Sequence, residues 1–513
     1  MAWTRWGINS GESMIDIATP NWVKHAVFYQ IFPDSFARGK APPRSPHEPY
    51  VPQAHSQYLE PWDAPPSFQR SKGGNLWGVC DRLDYLQELG ITALYLNPVF
   101  QSASNHGYHT HDYYQVDPLL GGNKALMTLL EKARDRNIKI ILDGVFNHAS
   151  RGFYYFNDIL ENGGNSPWLD WFQVEDWPLA PYDGSRPANY QSWIDYRALP
   201  QFNHDNPEVR EYLMGVGEYW IAQGFDGWRL DVPFCVTAPG FWQEFRDRIK
   251  AINPEAYIVG EVWSNCQQWL DGSQFDGVMN YLFTGPTLAF VAGDRVVRSL
   301  VEAPDYFPYP ALDATGYGQA IQQLLSLYPW EIQLTQLNLL DSHDTARVRS
   351  VVNRDGASVE LATLLMLTYP GAPTIYYGTE VGLEGGLDPD CRRSFPKEEG
   401  QWDRTVLHYH RDLIAIRHRY PALRTGSYHC LLSQDYLYVF GRGEGDDPGR
   451  VIIAVNAGDR PKTASLDFPK GHSQPNQIIY GQGEATWQNT DSETITLILN
   501  LPPRQGLILV STP

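Results

Sequence analysis

A chain of 513 residues with 42% hydrophobic side chains can bury more than one core, so two or three domains are expected. The formal net charge of −19 excludes partners that demand dense Lys and Arg, namely nucleic acids and anionic membrane surfaces, and it suits a neutral substrate. The opening MAWTRWGINSGESMIDIATP lacks a basic stretch followed by an apolar one, and no apolar run approaches the roughly 18 residues of a spanning helix. Five scattered cysteines (Cys80, Cys235, Cys266, Cys391, Cys430) show neither a CxxC pair nor a metal-ligand spacing. A soluble, unexported cytoplasmic protein with reduced thiols is the expectation. The 17 Trp, 30 Tyr and 21 Phe suit a large core, and flat rings also suit a sugar-binding cleft.

In chain order, eight short runs rich in β-branched and aromatic residues read as strands: AVFYQIF (26–32), ITALYLNPV (91–99), IKIILDGVF (138–146), GFDGWRLDV (224–232), AYIVGEVW (256–263), FDGVMNYLF (275–283), LNLLDS (337–342) and APTIYYG (372–378). Amphipathic helical patterns lie between them, as in 80–90, 123–137, 206–224 and 358–369. Eight strand–helix units predict an α/β fold, a (β/α)8 TIM barrel over 21–145 and 206–424. Residues 146–205, rich in Gly, Pro, Trp and Asn, predict an inserted domain after the third strand. Beyond 425 the runs YLYVFGR, VIIAVNAG, ETITLILNL and GLILVS predict a C-terminal antiparallel β-sandwich (425–513), and residues 1–20 form an extension too short for a module of its own.

Barrel chemistry sits at the C-terminal ends of the strands, so the polar residues that end apolar runs are the candidates. They are Asp143, Asn147 and His148 after strand three, Arg229 and Asp231 on strand four, Glu261 after strand five, and His343 and Asp344 after strand seven. In GFDGWRLDV the period of two puts Arg229 and Asp231 on one face, opposite Trp228 and Leu230. Two carboxyl groups flanking a pocket are what glycosidic cleavage requires, one protonated and one ionised. Arg229 is expected to favour the ionised Asp231, and the surrounding negative charge to keep a proton on Glu261.

DGVFNH (143–148), GWRLDV (227–232), GEVW (260–263) and LLDSHD (339–344), with LPQFN (199–203), resemble in order and spacing the signature regions of the alpha-amylase family, glycoside hydrolase family 13. YQIFPDSF (29–36), SNHGYHTHDYYQVDP (104–118) and GLDPDCRR (386–393) extend the resemblance over roughly 20–425. It implies Asp231 as nucleophile, Glu261 as general acid/base and Asp344 as the third carboxylate. It further implies that Arg229 orients Asp231, that His148 and His343 bind hydroxyls of the sugar being cleaved, that Tyr108 stacks beneath that sugar, and that Asp388 and Arg392 grip the next sugars. Asn147 is expected to be structural and Asp143 to brace the site. A retaining mechanism is implied, with the two carboxyl groups about 5–5.5 Å apart.

LPQFN, SHDTAR and DPDCRR are most similar to the neopullulanase, cyclomaltodextrinase and small debranching-enzyme group. That points to a hydrolase of α-1,4 and α-1,6 bonds in maltodextrins derived from glycogen or starch, favouring short branches. A transglycosidase or α-glucosidase, and a non-catalytic glucan-binding protein, are the alternatives. The group's N-terminal starch-binding-like domain is absent from the given sequence, so a homodimer stays open. Val232-Pro233-Phe234-Cys235 replaces the usual residues after the nucleophile, and His109 stands where an aspartate is common. No cofactor is implied. The family often binds calcium, but GKAPPRSPHEP (39–49) lacks the usual oxygen ligands, so no required metal is expected.

Overall fold

The computed structural model describes residues 6–8, 17–43, 59–302, 306–444 and 447–511. Strands β1 (Phe28–Ile31), β2 (Ala93–Leu96), β3 (Lys139–Gly144), β4 (Gly227–Leu230), β5 (Tyr257–Gly260), β6 (Gly277–Val278), β7 (Leu337–Asn338) and β8 (Ala372–Tyr376) lie in one parallel sheet, β8 pairing with β1. A parallel bridge between Met279 and Leu337 joins β6 to β7 and closes the ring. All eight predicted strands are therefore present. Their apolar character is continuous because one face fills the barrel and the other meets the helices.

The sixth and seventh are shorter than the runs 275–283 and 337–342 suggested. Only Gly277–Val278 and Leu337–Asn338 are strand, and Tyr281 already begins the helix Tyr281–Val291. The predicted helix 80–90 is broken into Leu76–Asp81 and Leu83–Leu89. The helix before β4, Pro207–Gln223, has local start and stop signals: the Asn206 side chain accepts from the Glu208 N–H, Pro207 occupies the first turn, and Gly224 ends it in the left-handed conformation.

Helix Gly356–Thr368 corrects an expectation, since it is not amphipathic: Val359 and every residue from Leu361 to Thr368 are buried. It packs against helices Tyr281–Val291 and Arg404–Arg419 and against the C-terminal sheet, which leaves only its start, at Gly356, Ala357 and Glu360, open to solvent.

Residues between β3 and Pro207 form the insertion, with one helix (Tyr154–Asn162) and isolated antiparallel pairings, among them His148 with Gln201 and Ser192 with Pro200. Rings from Phe153, Phe156, Phe172, Tyr190 and Phe202 pack its interior edge to face.

The tail holds eight strands where four were predicted: β9 (Ser427–Gln434), β10 (Leu437–Glu444), β11 (Asp447–Asn456), β12 (Lys462–Pro469), β13 (Gln477–Gly481), β14 (Glu484–Asn489), β15 (Thr494–Leu501) and β16 (Gln505–Val510). The larger sheet runs β9-β10-β11-β16-β13, with Trp6–Ile8 paired antiparallel on β9 as its edge, and the smaller runs β12-β15-β14. Residues 6–8 thus pair with the far end of the chain. In β11, Ile453 and Val455 join the main core while Ile452 and Ala454 face the smaller sheet. Both faces are covered, so the run is apolar throughout.

Candidate active site

Gly227, Arg229 and Asp231 follow one another at every second position of β4 and its end. A side chain at Gly227 would lie 2.1 Å from the Tyr257 carbonyl oxygen on β5, so glycine permits the close strand approach. Trp228 points outward and donates its indole N–H to the Gly217 carbonyl at 3.3 Å.

Arg229 is wholly buried and is the hub. Its Nη1 donates to Asp143 Oδ1 at 2.9 Å and to Asp231 Oδ1 at 3.0 Å, while Nη2 faces Glu261 Oε1 at 3.0 Å as an ion pair without hydrogen-bond alignment. A permanently charged fork with five donors suits this task. Asp143 is braced from its other oxygen by the hydroxyls of Tyr95 (2.7 Å) and Tyr108 (3.1 Å). Glu261 Oε2 accepts from the Val232 N–H at 3.1 Å, and Oε1 from the Trp263 indole at 3.4 Å. Trp263 is itself fixed by stacking on Tyr281 at 3.7 Å. Val232 adopts φ 35°, which β-branched residues rarely take, and this left-handed turn places its N–H on Glu261.

Asp344 approaches from β7. Its Oδ2 lies 3.2 Å from His343 Nε2 and its Oδ1 3.6 Å from Arg392 Nη2. Arg392 pairs with Asp388 at 3.0 Å and donates Nε to the His343 carbonyl at 3.0 Å. Gln30 Nε2 donates to His343 Nδ1 at 2.9 Å, which leaves the ring proton on Nε2, toward Asp344 and the Tyr108 hydroxyl. Tyr108 stacks on His343 with the rings 9° from parallel. His148 differs: its Nδ1 meets Asn147 Nδ2 at 3.2 Å, but its buried Nε2 has no hydrogen-bond partner among the described residues. Asn147 is fully buried beside it.

Burial pushes the Asp231 carboxyl well above the usual carboxylate range; Arg229 opposes the rise, and Glu261, Asp143 and Asp344 add to it. Arg229 does favour the ionised Asp231, as expected, but burial outweighs it, and the one cation is shared among three carboxylates. Its pairing with Glu261 was not expected. Burial, with the charge of Glu261, raises Asp344 to about 7 against the pull of Arg392. Its side chain keeps 29% of its surface open, so water screens part of that push. Burial lowers His148 to about 3 and holds His343 well below the ordinary histidine value, so both imidazoles are neutral at pH 7.

Above this floor lies a cleft of about 780 Å³ reached by Tyr108, His148, Asp231, Glu261, His343, Asp344, Asp388 and Arg392. Arg229 lies beneath it. The walls hold residues that the sequence reading assigned no role: Phe68 and Gln69 on one side, Trp193, Ile194 and Tyr196 of the insertion on another, and His106. The segment bearing Phe68 is stapled by buried Lys72, whose ammonium donates to the carbonyls of Pro61 (3.1 Å) and Ala64 and pairs with Glu60 at 3.1 Å. Gln30 and Asn97 were also missed, although a polar residue inside YQIF or YLNPV is a readable signal of a position facing the barrel interior.

Among the described residues no three His, Cys, Asp or Glu side chains converge to hold a metal. The loop 39–49 lies outside the described residues from 44 onward. A family model for the alpha amylase catalytic domain matches residues 30–417, which takes in every residue named in this site.

The chain belongs to the alpha-amylase family.

The solved debranching enzyme of Nostoc punctiforme is 59% identical, the match covering 97% of this chain and all of that one with a TM-score of 0.89. Neopullulanase 2 of Thermoactinomyces vulgaris is 39% identical over 503 residues, 96% of this chain and 78% of that protein. A cyclomaltodextrinase of a Bacillus species is 39% identical over 439 residues, 85% and 73% respectively. This alpha-amylase family member is a glycoside hydrolase.

Proposed function

We propose that this alpha-amylase family enzyme cleaves α-1,4 and α-1,6 bonds of maltodextrins from glycogen or starch with retention of configuration, and that it favours removal of short branches. The observation that carries the reading is one buried guanidinium gripping Asp231 and Glu261 together under an open cleft. The names of its relatives, a neopullulanase, a cyclomaltodextrinase and a debranching enzyme, agree with both linkages.

In this mechanism the crowded Asp231–Glu261 pair carries one proton; with that proton on Glu261, Glu261 gives it to the bridging oxygen while the ionised Asp231 attacks the anomeric carbon. The bond to the leaving sugar breaks, and a covalent glycosyl-enzyme remains. Glu261, now ionised, takes a proton from water; the water oxygen bonds to the anomeric carbon and frees Asp231. Burial destabilises the Asp231 carboxylate before reaction, and bond formation removes that charge. Asp344 and the open Nε2 of His148 bind hydroxyls of the distorted sugar, and the Asp388–Arg392 pair holds the sugars beyond it. No step uses a metal. Capture of the intermediate by a sugar hydroxyl is a second reading, favoured by Trp193, Ile194 and Phe234, which line the cleft with apolar surface.

A cytoplasmic setting agrees with five cysteines of which none is in a disulfide. Among the described residues no helix is long and apolar enough to cross a membrane. A homodimer is compatible with this reading.

The test is chromatographic analysis of products from a maltodextrin carrying one α-1,6-linked side chain of several glucoses. Release of the intact side chain by wild type, abolished in Asp231→Asn, is expected. Stepwise loss of glucose or maltose with the branch point intact contradicts the branch-cleaving preference, and products longer than the substrate support sugar capture.

A further inference from the structure

A second depression lies behind one wall of the cleft. This groove of about 550 Å³ opens on the insertion and is lined by Glu175, Asn189, Gln191, Ser192, Asp195 and Arg197, and by Gln201. Its size falls within the range of ligand sites.

Three links tie it to the cleft. Loop 192–199 is common to both: Trp193, Ile194 and Tyr196 line the cleft, whereas Ser192, Asp195 and Arg197 line the groove. Two consecutive left-handed residues, Ile194 (φ 42°) and Asp195 (φ 60°), make the change of side within one step of the chain. Gln201 pairs with His148 of the cleft through the backbone, and its Nε2 donates to the Cys235 carbonyl at 3.3 Å, one residue from Phe234.

The groove's chemistry narrows its ligand. Arg197 already donates to the carbonyls of Ala180, Asp183 and Arg186, so its guanidinium is part of the wall. With Glu175 and Asp195 also present, an anion would meet carboxylates and no uncommitted arginine. Planar amides and carboxylates in a mainly polar trough instead match a neutral, hydroxyl-rich chain, whose vicinal hydroxyls both donate and accept. A linear glucan needs only the cleft, but a branched one has arms diverging from a single glucose.

We infer that the groove holds the uncleaved arm of a branched α-glucan while the arm to be removed occupies the cleft, with loop 192–199 standing between them. The inference rests on the branch-cleaving reading and adds where the remaining chain lies.

Two substrates with the same α-1,6-linked maltotriosyl arm test it, one on a maltoheptaosyl main chain and one on a maltosyl stub. The quantity read is the ratio of kcat/KM, long over short, in wild type and in a Glu175→Ala, Gln191→Ala, Asp195→Asn triple variant. All three positions are exposed, and asparagine tolerates the left-handed backbone at 195. Loss of two or three hydrogen bonds predicts that the ratio falls roughly five- to ten-fold. Gln191→Trp, which fills the groove, should lower it likewise. Turnover of the short substrate certifies that each variant is folded. An unchanged ratio in both variants overturns the inference and leaves branch cleavage standing. Failure of wild type to release the arm from either substrate overturns branch cleavage and the inference with it.

Discussion

Asp344 illustrates how the site's chemistry opposes stability. Its carboxyl titrates at about 7 in the folded protein, against about 3.9 in an unfolded chain. Between those values the folded state binds the proton that the unfolded state has released, so the contribution of this group to stability is present below about pH 4 and is lost as pH rises toward 7. Asp344→Asn, nearly isosteric and uncharged, is therefore expected to raise stability at pH 8 by about 2–4 kcal/mol, with the gain vanishing near pH 4. Thermal melts across that range check it, and a gain independent of pH would contradict the assignment. The same variant should lose nearly all turnover. His148 and His343 stay neutral in the folded protein but take up protons when it unfolds below about pH 6.5, so they make stability rise with pH in both proteins and cancel in the difference between wild type and variant.

At the scale of the element, loop 192–199 presents a β-branched residue in a left-handed conformation at Ile194, whose side chain is 74% exposed. Burial cannot explain it, and such a backbone costs about 1–2 kcal/mol for a residue of this kind. Facing the cleft with an apolar group is the evident compensation. Ile194→Asn, which suits that conformation, is expected to stabilise the protein by about 1 kcal/mol while raising KM for maltodextrins. Denaturant unfolding and steady-state kinetics on the same sample decide this; a destabilised variant with unchanged KM would refute the strain argument. Strain of this kind escaped the sequence reading because nothing in QSWIDYR distinguishes a loop that bends left-handed from one that does not.

Across the whole molecule, helix Gly356–Thr368 joins the barrel to the C-terminal sheet. A side chain at Gly506 of β16 would lie 2.2 Å from Leu364 Cδ2, so the sheet rests directly on this helix. Leu364 is completely buried there. Leu364→Ala should cost about 2–5 kcal/mol through the cavity it leaves, with kcat/KM unchanged below the melting range. Calorimetry should keep a single transition if barrel and sheet unfold together. Such coupling is hidden in SVELATLLMLTY, whose apolar run suits an interior helix as well as a half-exposed one.

Local periodicity is a property of neighbouring residues, and so the sequence by itself determined the eight barrel strands, the acids that end them and the change to sheet after 425. Arg229 and Asp231 were assigned to one face because only two positions separate them. Contacts between distant residues carry no such local trace. Gln30 reaches His343 across 313 positions, Trp6–Ile8 pairs with β9, and one guanidinium serves Asp143, Asp231 and Glu261. Those partnerships, the wall that divides cleft from groove, and the burial that raises Asp231 and Asp344 were decided only by the tertiary structure, since each depends on which surfaces meet and exclude water once the barrel has closed.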